Sequence, residues 1–500
     1  MTRRGLLVIW ALLAASAIAL PGVIPGPSAE AELPDQSPRT LTYDIDVSLA
    51  PEVRELTATG TLTWRNDSPV PVPDVHLHMY LNAFKNRFTT FMRESQGSHR
   101  GHKFAEAHPG GIEITSFQLE DGTELAPQLT YIQPDAAETP LATRDETVAR
   151  IPLPEGQAIP PGETVTFKLA WSSKLPRVFA RTGHGGDFFM VAQWFPKPGV
   201  WEQLPTADGG DPVWGWNCHQ FHGSSEFYAN YGVYRVRMSV PEDYALGASG
   251  KLQGDPVREG GMTTHEHIAE DVHDFAWVTS PDFVVHVEEF EGGSGTSPEE
   301  HEAVARILGR DKAELALDPV TVTFLLQPEH AGQLERHKAA VFHAITYLGF
   351  WFGKYPYPTL TVVDPDHRGR DAGGMEYPTL ITGGTRIIRP VRQLSPEGVL
   401  VHEFAHQHFY GLVGTNEFES AWMDEGMTTY ATAKALMRAY PPPKPVTWYG
   451  KAPVYGVRPV EFSGIAAESR GAMPVVSTVF DEHLKMPFGE LEPCLLYTSP

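Results

Sequence analysis

The hydrophobic period of this chain changes once, across the stretch Gly292-Gly293-Ser294-Gly295-Thr296-Ser297-Pro298. Before it, apolar residues recur at every second position, the repeat of a half-buried strand. Tyr43, Ile45, Val47 and Leu49 do so first, then Leu56, Ala58, Leu62 and Trp64 across Gly60. Val165, Phe167, Leu169 and Trp171 follow the Pro160-Pro161-Gly162 turn, and Tyr234, Val236, Met238 and Val240 precede Pro241. After it, Leu334, Val341, Ile345, Leu348 and Phe352 share one helical face that ends near Gly353, between strand-like runs at Val320 to Leu326 and Thr359 to Val363. The pattern predicts an α+β fold class. An antiparallel β-rich domain is expected over residues 32–290, with Phe283 to Phe290 as its last strand, and a mixed domain over residues 291–493.

A chain of 500 residues that is 41% hydrophobic builds large cores without metals or disulfides as staples, so a metal here would serve chemistry. Lys and Arg number 39 against 62 Asp and Glu, a net charge of -23 that repels a phosphate backbone and argues against nucleic acid as a partner. Cys218 and Cys494 are too few for a disulfide framework. At the start, Arg3 and Arg4 precede the apolar run Gly5 to Leu20 and the small-residue pattern Ala29-Glu30-Ala31. Residues 1–31 therefore read as a signal peptide, with a mature periplasmic or extracellular protein starting near Glu32. The run falls short of the ~20 residues that span a bilayer, so membrane attachment is expected only if the segment stays uncleaved. Residues 494–500 stop without a cap or turn and read as a foreign tail on a C-terminally incomplete domain.

His402-Glu403-Phe404-Ala405-His406 follows the helix-start pattern Ser395-Pro396-Glu397, in which Ser395 suits the N-cap. A four-residue step is about one helical turn, so both imidazoles project from one face and each can give a nitrogen to one Zn²⁺. Glu403 stands one position round that turn, in reach of a water on such an ion and without being its ligand. The third ligand is read in Trp422-Met423-Asp424-Glu425-Gly426-Met427, where Glu425 opens a second helical run. Two histidines and one carboxylate leave a fourth position to water, which is the arrangement of a catalytic zinc, one per chain.

With these residues in view, the segment from His402 to Ala431 resembles the HExxH-x18-E signature of the aminopeptidase N family of gluzincins, and Gly373-Gly374-Met375-Glu376-Tyr377 resembles that family's upstream GxMEN motif. The resemblance covers roughly Tyr43 to Pro493 in layout, including Gln193-Trp194-Phe195-Pro196 in the first part. It implies a saddle-like β domain followed by a thermolysin-like catalytic domain, with Glu403 as general base. It also implies that Glu376, with Gly374 and Met375, binds the free α-amine of a peptide and restricts cutting to N-termini. A carboxylate beside a zinc site would pair with an ammonium group in a poorly hydrated cleft, which agrees with that role. A thermolysin-like endopeptidase or a non-catalytic peptide-binding homologue is the alternative.

The chain departs from the family pattern in several places. Tyr377 and Asp424 stand where the family has asparagine, and His408 where it has tryptophan. The family's oxyanion-holding tyrosine is expected some sixty residues beyond Glu425, where Pro487-Phe488-Gly489-Glu490-Leu491-Glu492 has none; Tyr449 and Tyr455 come too early and Tyr497 lies in the tail. Glu417 or Glu419 could accept the second N–H of a metal-bound imidazole, although a solvated loop is the commoner place for either. His99, His102 and His108 read as a mobile loop, Cys218, His219 and His222 as lacking a fourth ligand, and Gln193 equally as a substrate contact or a core or turn residue.

Overall fold

The computed structural model describes residues 36–99, 102–135, 145–206, 209–293, 295–384 and 394–440. The signal-like segment, the tail and Tyr449, Tyr455 and Tyr497 lie outside these residues.

The alternating runs become strands of an eight-stranded sheet. Leu41–Ala50 and Glu55–Arg65 form a hairpin, Thr164–Lys174 continues it, and Gly111–Leu119 follows on that side. Leu41, Tyr43, Ile45, Val47 and Leu49 are buried while the residues between them face outward. Full burial of such side chains contributes about 1.5–3 kcal/mol each, which fixes the register. Gly60 interrupts the apolar repeat because it faces Ile45, where a Cβ would stand 2.3 Å from the Asp44 carbonyl oxygen.

One pairing departs from the expected antiparallel order. Leu41–Ala50 runs parallel to Gly232–Pro241, because the long connection between the two returns the chain to the open side of the first hairpin in the same direction. The period of two reports burial and is silent on direction.

A second sheet orders Val284–Phe290, Val320–Leu326, Thr359–Val363 and Leu380–Thr382, antiparallel at the first pairing and parallel at the next two. The strand expected to close the first domain therefore belongs to this sheet, and the boundary read at residues 290/291 falls between two of its partners. The glycines beyond it are a close approach and not a free linker. Gly293 exchanges two backbone hydrogen bonds of 3.0 Å with Leu317, and a Cβ on Gly292 would meet the Leu317 carbonyl oxygen at 2.4 Å.

Three helices pack beside this sheet: α1 (Leu334–Phe352), ending at Gly353, α2 (Ser395–Ala405) and α3 (Met427–Ala439). Each of the three touches the other two. Leu394, in a left-handed conformation, occupies the N-cap of α2, one residue earlier than the position expected for Ser395. Arg336 on α1 grips Glu397 in the first turn of α2 through two bonds of 2.7 and 2.8 Å, which fixes the slide of one helix on the other.

The two sheets share one hydrophobic core, and the described residues belong to one compact unit. Hydrogen bonds lace the parts together: Tyr357 to the Asp271 carbonyl at 2.9 Å, Thr361 to the Ala248 carbonyl at 3.1 Å and the Gly250 N–H to Thr379 at 2.6 Å. Among the described residues no helix is long and apolar enough to cross a membrane.

Candidate metal centre

His402 and His406 leave α2 one turn apart, with their Nε2 atoms 3.2 Å from each other. Glu425 places Oε2 at 3.3 Å from the first of these nitrogens and 3.9 Å from the second. Ligand atoms ~2.0–2.2 Å from a tetrahedral ion are separated by about 3.3–3.6 Å, so these three atoms are already spaced for one zinc. Glu425 sits in a π-helical turn, Trp422–Gly426, that leads into α3. Such turns recur at functional sites because they rotate one side chain out of the regular helical repeat.

The other ring nitrogen of each histidine is also held. His406 Nδ1 hydrogen-bonds to Asp424, which is fully buried, and Thr428 Oγ1 stands 3.2 Å away. Thr432 Oγ1 lies 3.5 Å from His402 Nδ1. A carboxylate on Nδ1 keeps that nitrogen protonated and leaves the Nε2 lone pair facing the ion site. The sequence offers Glu417 and Glu419 for this role beside a solvated-loop reading; Glu417 is buried, not solvated, and neither fills it. Asp424 does, and its place directly before the third ligand was the signal in the sequence. Glu419 instead accepts from Asn217 at 2.9 Å and meets His219 at 3.0 Å. We expect Asp424→Asn to weaken zinc binding about 10–100-fold, measured by competition with a chromophoric chelator.

Glu403 is 5% exposed. A carboxylate oxygen of Glu403, one of Glu376 and a nitrogen of His406 all lie within 4.8 Å of one another. Burial is the largest influence on Glu376; although His406 and Arg181 oppose it, the net effect with Glu226 and Glu425 nearby is to raise its carboxyl above the usual range. Gln407, the residue after the second histidine, ties α2 to the Glu376 segment. It accepts from the Thr379 N–H at 2.8 Å and donates to the Glu376 and Tyr377 carbonyls at 3.2 Å. Nothing in the sequence marked Gln407, because its partners are backbone groups some thirty residues away.

Gly374 and Met375 support this segment. The Gly374 N–H donates to the Thr382 carbonyl and the Thr382 N–H to the Met375 carbonyl, each at 2.8 Å, while the Met375 side chain is buried. Gly374 adopts φ +72°, a conformation that glycine takes without strain. His408 donates from Nε2 to the Gly353 carbonyl at 2.7 Å, closing the end of α1, and burial lowers its pKa to about 4.

The weaker candidates lie in other settings. Gln193 is buried, accepts from Lys197 at 3.1 Å and donates to Asp274, inside a network closed by the Lys197–Asp274 ion pair at 2.8 Å. His219 meets Asp135 at 2.6 Å, and His222 meets Glu94 at 2.8 Å and Asp135 at 3.4 Å, so both ring nitrogens of each are engaged by carboxylates. Cys218 is a buried free thiol. His99 and His102 pair across a short hairpin, and His99 packs on Phe91 and Phe179.

Glu226, Glu376 and Glu417 form a further buried group whose carboxylate oxygens lie within 4.8 Å of one another. Arg181 pairs with Glu226 through both guanidinium NH groups.

Residues 340–457 match the Peptidase family M1 domain. Among solved structures, the chain is similar to an M1 zinc metallopeptidase from Deinococcus radiodurans at 16% identity, over 81% of this chain and 73% of that one, with a TM-score of 0.47. It is also similar to a mutant of an M1 zinc metallopeptidase from the same organism bound to a Tyr-Ser-Ala substrate, at 15% identity over 81% and 74%, with a TM-score of 0.46. No curated protein matches the chain.

Proposed function

We propose that this chain, a zinc metallopeptidase carrying a Peptidase family M1 domain at residues 340–457, is an exported aminopeptidase that removes N-terminal residues from peptides. The observation that carries the exopeptidase reading is Glu376. Its buried carboxylate stands within 4.8 Å of both the base and a metal-ligand nitrogen, where an ammonium group one residue from the scissile bond would find its counter-ion.

When bound, zinc supplies Lewis acidity that polarises the scissile carbonyl and makes water a nucleophile near neutral pH. His402, His406 and Glu425 would hold it, and Asp424 fixes the ring of His406. Glu403 takes the proton from the attacking water and hands it to the nitrogen that leaves as the C–N bond breaks, so it ends each turnover as a carboxylate. Glu376 anchors the α-ammonium and thereby places the first peptide bond, and no deeper one, over Glu403.

Turnover of alanyl-peptides with a free and an N-acetylated terminus tests this reading. The free form is expected to be cleaved at least about 10²-fold faster in kcat/KM, since acetylation removes the charge and leaves Glu376 without its partner. Equal turnover of the two would instead indicate an endopeptidase. Export rests on the N-terminal pattern ending in Ala29-Glu30-Ala31. N-terminal sequencing of the secreted or periplasmic protein is expected to begin near Glu32, and a cytoplasmic chain that keeps Met1 would refute export.

A further inference from the structure

Glu417 carries a carboxylate whose two oxygens are both buried and without a hydrogen-bond partner, in a side chain only 1% exposed. Leaving such a group unsatisfied destabilises a fold unless something else binds it. Its carboxylate faces those of Glu376 and Glu226, which are 6% and 3% exposed, and one oxygen from each lies within 4.8 Å of the others. Three acceptors placed about 2.8 Å from one tetrahedral nitrogen stand about 4.6 Å apart, so a triangle no wider than 4.8 Å on a side lets one primary ammonium reach all three carboxylates. Arg181 cancels the charge of Glu226 and anchors it, which leaves the other two carboxyls to answer to what enters. Burial pushes both of those carboxyls above their usual range, the response of acids with too little positive charge beside them.

We propose that Glu226, Glu376 and Glu417 form a three-point seat for the primary α-ammonium of the substrate. The enzyme then selects peptides that begin with a primary amine over those that begin with a secondary one, such as proline or an N-methylated residue. This inference rests on the aminopeptidase reading and adds to it two positions, Glu226 and Glu417, and a substrate class. A secondary ammonium has only two N–H bonds, so one carboxylate of the seat stays unsatisfied when it binds.

The test compares three matched peptides on the zinc-loaded, full-length enzyme, starting with alanine, N-methylalanine and N-acetylalanine. N-methylation is expected to lower kcat/KM about 10–100-fold, and acetylation to lower it further, by at least about 10²-fold. If the N-methyl peptide matches the free one while the acetyl peptide is slow, the three-point seat is wrong and the aminopeptidase reading stands. If all three are cleaved alike, both fail. Glu417→Met supplies a second readout that does not depend on turnover. Removing an unsatisfied buried carboxylate that serves a ligand should raise the melting temperature of the peptide-free protein by about 1–4 °C and shrink the N-methyl penalty to within about 3-fold. A fall in melting temperature would assign Glu417 to the architecture and overturn the seat.

Discussion

Glu403→Gln should keep its zinc and lose turnover, with kcat falling roughly 10³-fold. The substitution preserves the size and shape of the side chain and removes only its ability to take a proton. The atoms at zinc-ligand spacing come from His402, His406 and Glu425, not Glu403, so metal content by mass spectrometry should stay near one per chain. Nor can bulk water replace the base easily, because the residue is 5% exposed. The interaction lost belongs to the transition state more than to the bound substrate, so kcat and kcat/KM should fall together with KM nearly unchanged. Zinc retained with activity within about 10-fold of the parent would remove Glu403 from the proton-transfer role.

What the sequence made legible was local. The helix Leu334–Phe352 and the strands Val320–Leu326 and Thr359–Val363 lie where the periodicity put them, since burial periodicity is a property of consecutive residues. His402 and His406 could be placed together because four residues make one turn of helix, whatever the rest of the chain does. Glu425 could be read as the third ligand from its place at the opening of a second helical run, but a gap of eighteen residues has no fixed geometry of its own, and only the fold brings it to the two imidazoles. The pairing of Val284–Phe290 with the second sheet was hidden, as alternation says which face is buried and not which neighbour a strand takes. The same limit concealed the parallel pairing of Leu41–Ala50 with Gly232–Pro241. Asp424 was visible only as a departure from a pattern, although it fixes His406. Glu226, in the loop before Gly232–Pro241, and Glu417, beyond α2, are 191 positions apart in sequence and meet only in the fold. No spacing rule covers such a meeting. It is the folded core that creates the charge cluster.

The second large effect concerns Glu376→Gln, for which kcat/KM on free-amine peptides should drop about 10²-fold while the slow reaction on N-acetylated peptides changes little. Folding should survive, because Gln407 and Thr379 hold this segment through backbone groups, not through the Glu376 carboxylate. What changes is one negative charge in a buried site that already contains Glu226, Glu417 and Glu425. Losing it relieves repulsion in the empty site and weakens the hold on a cation, so the ratio between free and blocked peptides collapses from its starting value toward unity. The pH profile gives an independent check. A peptide α-amine titrates near 7.7–8.0, so the parent enzyme should lose kcat/KM as the pH rises through that range and its substrate becomes neutral. The Glu376→Gln enzyme has less to gain from the ammonium form, and its profile should be flatter there. If the variant kept both the discrimination and the alkaline fall of the parent, the α-amine would have to be bound elsewhere, and Glu376 would be reduced to a buried acid that shapes the field around His406.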